Sequence, residues 1–211
     1  MTALVFGVPV EVNFWVVLIF ALSLAGVSFV YFWGLQPRMD WKTLVIVSLI
    51  SVALMMVGIV LHELGHAVVA MYFGGTIKSV VFALTSHVDF YPIQMTQGEI
   101  VIVSLAGPVF GLIYSLINAA LGRHAGKSVF VVAGYVALLN FIYSIFNLLP
   151  FGNFDGAAVF DYVHKNLVPR LPGGTFLYVY TAIYLVLTVF AFYIFVTFLG
   201  KEYVGGKPDV K

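Results

Sequence analysis

Five long apolar runs constrain this chain more than any other feature: about Val12 to Gly34, about Thr43 to Gly74, Ile100 to Gly122, Ser128 to Leu149 and Phe176 to Leu199. Each reaches the roughly 20 apolar residues that a helix needs to cross a bilayer core. A segment in lipid must satisfy its own backbone polar groups, so such a run is helical unless it belongs to a closed barrel. Composition agrees. Residues are 62% hydrophobic and only 9% charged, with mean hydropathy +1.07, whereas a soluble domain carries about a quarter charged residues. The expected fold is an all-α integral membrane protein, a bundle of five to six transmembrane helices forming one domain over residues 1–211. The N-terminus lacks a basic segment and a small-residue cleavage site, so the first run reads as a retained span. Ten Lys plus Arg against nine Asp plus Glu leave a net charge of +1, which speaks against nucleic acid as a partner. The lipid bilayer is the partner this composition demands, and oligomeric state leaves no mark in it.

The second run is longer than a bilayer requires, and its last third, LHELGHAVVAMYFGG, brings polar groups into an apolar helix before the Gly74-Gly75 stop. Between the second and third runs, TIKSVVFALTSHVDFYP has β-branched and aromatic stretches around Thr85-Ser86, a hairpin signal over about residues 76–92. A strand edge at membrane depth must be paired, and the N-terminal LVFGVPVEV is the candidate third strand of a small membrane-associated sheet. After the fourth run FGNFDG is irregular, Ala157 to Leu167 reads as one short helix, and Leu171 to Gly174 turn into the last span. Threading five spans puts Arg38, Lys42, Arg123, Lys127, Lys201, Lys207 and Lys211 on one face and Lys78, Lys165 and Arg170 on the other. That excess favours the first face as cytoplasmic.

His62 and His66 stand four residues apart, so on a helix both imidazoles project from one face and can chelate one ion. Glu63 sits one residue on, where a carboxylate can reach a water in the metal's open position without being a ligand, as a general base in peptide hydrolysis must. A catalytic zinc usually takes three protein ligands. With no cysteine in the chain, the third is another His, Asp or Glu. The second and fourth spans run in the same direction, which brings Asp155, in NLLPFGNFDG, to the membrane face where HELGH ends. His66 lies eight residues before Gly74, roughly 12 Å of helix. Pro150, Gly152 and Gly156 let the chain leave helical geometry, so that Asp155 can fold back toward that depth. An Asp-Gly turn without ligand function stands beside this reading. For the helix triplet, the alternatives are a hydrogen-bonded structural cluster or part of a proton path.

HELGH in a hydrophobic helix, followed far downstream by Asn147-x-x-Pro150, four residues and Asp155-Gly156, resembles the site-2 protease family of intramembrane zinc metalloproteases. GVPVEV resembles that family's first strand, LAGP at 105–108 its third-helix motif and LLNFIYSIFNLLPFGNFDG its fourth-helix region. The resemblance implies one Zn2+ per chain held by His62, His66 and Asp155, Glu63 as general base, and Asn140 contacting substrate or the reaction's oxyanion. It also implies cleavage within or near transmembrane segments of membrane-protein substrates, as in regulated intramembrane proteolysis, and a multi-pass place in the cell membrane of a prokaryote. It puts the zinc-proximal face in the cytoplasm, opposite to the charge count. The family often has Asp-Gly-Gly where this chain has Asp155-Gly156-Ala157, and a second proline where it has Asn153. No PDZ or nucleotide-sensing domain is expected.

Two other classes compete. An ion-binding transporter or channel would ordinarily show a repeated half or a second set of intramembrane polar residues, and neither is visible. A protease-like protein that binds without cutting would ordinarily have lost a ligand or the base, and all are present. Of the remaining polar residues, His87 and Asp89 read as a solvated loop, His124 and His164 as exposed near span ends, and Asp161 as the second-ranked acidic ligand. Asn118 and Tyr114 read as bonds between helices.

Overall fold

A computed structural model describes residues 2–5, 8–35, 39–83, 86–92, 95–123, 127–169 and 172–204. Strands β1 (Thr2–Val5) and β2 (Val8–Val12) precede α1 (Phe14–Leu35) and α2 (Trp41–Tyr72). Strands β3 (Thr76–Phe82) and β4 (His87–Tyr91) lead into α3 (Gln97–Arg123), α4 (Lys127–Phe146), α5 (Asp155–Asn166) and α6 (Gly173–Val204). Among the described residues, α1, α2, α3, α4 and α6 are the five helices long and apolar enough to cross a membrane. The chain is a multi-pass membrane protein of predominantly helical fold.

Helix starts follow local chemistry. Asp40 caps α2, its carboxylate accepting from the backbone N–H groups of Lys42 and Thr43 and from the Thr43 hydroxyl. Those bonds favour the ionised carboxylate and hold its pKa below the ordinary value, the Thr43 hydroxyl contributing most. Thr96 and Glu99 form a reciprocal capping box at the start of α3. α2 ends at Tyr72, and just beyond it Gly74 has a φ of +82°, a left-handed conformation that glycine adopts without a Cβ clash.

The sheet is larger than expected. Its order is β1-β2-β3-β4, with β1–β2 and β3–β4 antiparallel and β2–β3 parallel. The N-terminal segment read as one strand is a hairpin, because its apolar run alone does not reveal that it reverses direction. The parallel pairing needs a long crossover, and α1 and α2 supply it by running out and back. His87 and Asp89, read as loop residues, lie on β4. They are half exposed, and Asp89 accepts a hydrogen bond from Ser79.

α3 packs between α2 and α4 and also meets α5. Phe32, Leu44, Val131 and Tyr135 join α1, α2 and α4 in one core cluster, and Ala119, Ala137, Phe141 and Phe195 join α3, α4 and α6 in another. Polar side chains link the helices as well: Tyr114 donates to the Leu54 carbonyl, Ser115 to that of Ala137 and Tyr184 to that of Ile145. Such bonds and close small-residue contacts hold helices together where lipid competes with apolar side chains. Asn118 instead bonds within its own helix, to the Tyr114 carbonyl.

Candidate metal centre

On α2, Gly58, His62 and His66 follow one another at four-residue spacing on a buried face. His62 and Glu63 are each 1% exposed and His66 is 7%. The junction after the fourth span brings Asp155 to them. After α4 the chain tightens, with Leu148 and Leu149 donating to the carbonyls of Ile145 and Phe146, and it turns at Gly152, where φ is +65°. The Gly156 N–H then donates to the Asn147 carbonyl at 2.9 Å. A Cβ on Gly156 would run into the Leu148 carbonyl, so the corner closes this tightly only with glycine there. α5 begins at Asp155, two residues earlier than expected, and the positive end of its dipole favours the carboxylate.

His62 Nε2 lies 3.1 Å from Asp155 Oδ2, and His66 Nε2 lies 3.2 Å from Asp155 Oδ1. One donor atom from each residue falls within 4.8 Å of the other two. The chemistry of this set fits a divalent cation. His66 Nδ1 is 2.7 Å from the Val103 carbonyl; a carbonyl only accepts, so Nδ1 carries the proton. In the neutral ring Nε2 then presents a lone pair to a carboxylate oxygen. Two acceptors at that distance need a positive charge between them, from a metal or a second proton. Nitrogen and oxygen donors in this number suit zinc with an open position. α3 leaves room beside the two Nε2 atoms: a Cβ on Gly107 would lie 2.7 Å from that of His62 and closer still to that of His66.

Both oxygens of Glu63 are buried without a hydrogen-bond partner among the described residues. Asn140 is also buried, but it faces α2 at the level of Gly58, where a Cβ would collide with its amide. Its Nδ2 donates to the Val136 carbonyl, while its Oδ1 has no partner among the described residues. Gly58→Ala is expected to lower stability by about 1–3 kcal/mol through overpacking at this contact, read as a lower thermal midpoint in detergent.

The residues ranked below the centre stay away from it. Asp161 is exposed and pairs with Lys165. His164 is only half-buried, stacking on Phe160 and Phe176, because α6 folds back beside α5. His124 lies outside the described residues. Sequence reasoning did not assign roles here to Gly107, the Val103 carbonyl or Tyr143, whose ring meets the His62 ring edge-on at 5.1 Å. The Gly-Pro pair inside an apolar span was the one available signal, since a helix interior disfavours both residues.

No protein-family model matches the chain. A Synechocystis sp. protein named as a candidate zinc metalloprotease is 28% identical over 173 residues, covering 80% of this chain and 44% of its own. A zinc metalloprotease of Methanocaldococcus jannaschii is 26% identical over 160 residues, covering 74% of this chain and 42% of its own. The chain thus spans less than half the length of these curated relatives. A solved site-2 protease from Methanocaldococcus jannaschii superposes with a TM-score of 0.51 at 19% identity, over 100% of this chain and 97% of that one. The chain thus shares the fold of that site-2 protease and is similar in sequence to these two zinc metalloproteases.

Proposed function

We propose that this chain is a zinc metalloendopeptidase that cleaves peptide bonds within or near transmembrane segments of membrane-protein substrates, in the cell membrane of a prokaryote. The observation that carries the reading is the convergence of His62, His66 and Asp155 donor atoms beside a buried Glu63 whose carboxylate has no hydrogen-bond partner among the described residues. In this reading the two histidines and Asp155 hold one Zn2+. Bound there, the ion would supply a Lewis acid able to bring the pKa of a water toward neutrality. Glu63 would accept a proton from the attacking water and pass it to the leaving amine.

The Val103 carbonyl holds the His66 ring in the tautomer that turns Nε2 to the ion. Asn140 contacts the substrate or its oxyanion once the amide turns from the Val136 carbonyl. A substrate helix hides its carbonyls in internal hydrogen bonds, so it must unwind locally, and the outer edge of β4 can hold the extended segment by strand addition. The transporter reading receives no support from a centre whose three ligands surround one ion site with a base beside it.

Detergent-purified protein is expected to bind close to one zinc per chain and to cleave a transmembrane substrate. A strong chelator should abolish cleavage, and added zinc should restore it. Cleavage that persists after the metal is shown to be gone would overturn the proposal.

A further inference from the structure

His62 has a second ring nitrogen, and the fold leaves it in a specific place. Nδ1 is buried and without a hydrogen-bond partner among the described residues. If Nε2 serves the metal, Nδ1 carries the ring's proton, and a buried N–H needs an acceptor. His66 has such an acceptor in the Val103 carbonyl. For His62, the opening left by Gly111 of α3 shows what stands nearby. A Cβ there would collide with Ser144 Oγ and lie 3.6 Å from His62 Nδ1. The serine hydroxyl and the ring nitrogen therefore border the same small gap.

Ser144 is fully buried, and its own proton is committed to the Asn140 carbonyl at 2.9 Å. What the hydroxyl has left is lone pairs. Asn140 Oδ1 on α4 is a buried acceptor without a partner among the described residues, but it lies against Gly58, one turn of α2 away from His62.

We propose that Ser144 is a positioning residue for the metal: it accepts the Nδ1–H of His62, and through His62 it sets the tautomer and ring angle that direct Nε2 at the ion. The chain of donors then runs from His62 Nδ1–H to Ser144 Oγ–H to the Asn140 carbonyl. Each zinc histidine is thereby oriented by a different neighbouring helix, His66 by α3 and His62 by α4. The inference rests on the zinc reading above and adds a residue that neither the HELGH spacing nor Asp155 requires.

The test is zinc competition against a chromophoric chelator, using the full chain in detergent micelles. Ser144→Ala is expected to weaken zinc binding about 10- to 100-fold, with the metal-free thermal midpoint reporting whether packing has changed. Ser144→Thr keeps the hydroxyl and is expected to restore most of the affinity. Nitrogen-15 histidine spectra of the zinc-loaded protein supply a readout that a purely structural role would not move. The His62 Nδ1–H signal should be slow to exchange in the wild type and shifted, faster-exchanging or lost in Ser144→Ala. A wild type that binds zinc beside an equally tight Ser144→Ala overturns this inference alone. A wild type that takes up no zinc overturns the metal reading and this inference together.

Discussion

Glu63→Gln is expected to lower peptide cleavage by roughly 10²- to 10⁴-fold, the usual contribution of a positioned general base, while leaving zinc content near one per chain. The substitution keeps the shape of the side chain and removes its ability to take a proton. Glu63 makes no hydrogen bond among the described residues, so the change breaks no structural contact there. It also exchanges a buried group that ionises for one that does not, and the folded protein should be at least as stable as before. Initial cleavage rates on a transmembrane substrate, with metal content measured on the same samples, check both halves. Equal rates for the two proteins would remove Glu63 from the mechanism. Loss of zinc along with activity would make it a ligand instead.

Gly107→Ala should act on the same centre from the opposite side, by displacing the metal. The added methyl would fall within contact of both Nε2 atoms, 2.7 Å from that of His62, and so would occupy part of the space that the ion needs. Alanine favours helix over glycine by about 1 kcal/mol, so α3 itself should not suffer. Zinc stoichiometry is expected to fall from near one toward zero, and cleavage with it, in a protein that still elutes as a folded species from a sizing column. Wild-type zinc affinity in Gly107→Ala would mean that the ion sits elsewhere.

These two substitutions differ in how far the sequence exposed them. Glu63 was legible because it lies in a local pattern: helical spacing alone sets His62 and His66 on one face with Glu63 beside them. Gly107 acts through a neighbour more than 40 residues away in sequence, and no local pattern states which face of α3 meets which face of α2. Asp155 falls between these cases. Its side of the membrane followed from counting spans, but its approach to both histidines depends on the Gly152 turn and on the Gly156 N–H bonding the Asn147 carbonyl. His164 shows the opposite failure. It read as exposed because it lies near a span end, and only α6 folding back supplies the Phe176 ring that stacks on it.

By itself the sequence determined the five spans, the hairpin after the second of them and the His-Glu-His face. Each arises from forces that act within a few residues: the length of an apolar run, the alternation of a strand and the period of a helix. The tertiary structure alone decided that the N-terminal segment is a hairpin joined in parallel to β3, that Asp155 reaches both imidazoles, and that Gly107 and Ser144 border them. These are matters of which surfaces meet. In a chain where most helix faces are equally apolar, lipid and protein compete on nearly equal terms for each of them, and the choice rests on a few small residues and buried hydrogen bonds that periodicity does not reveal.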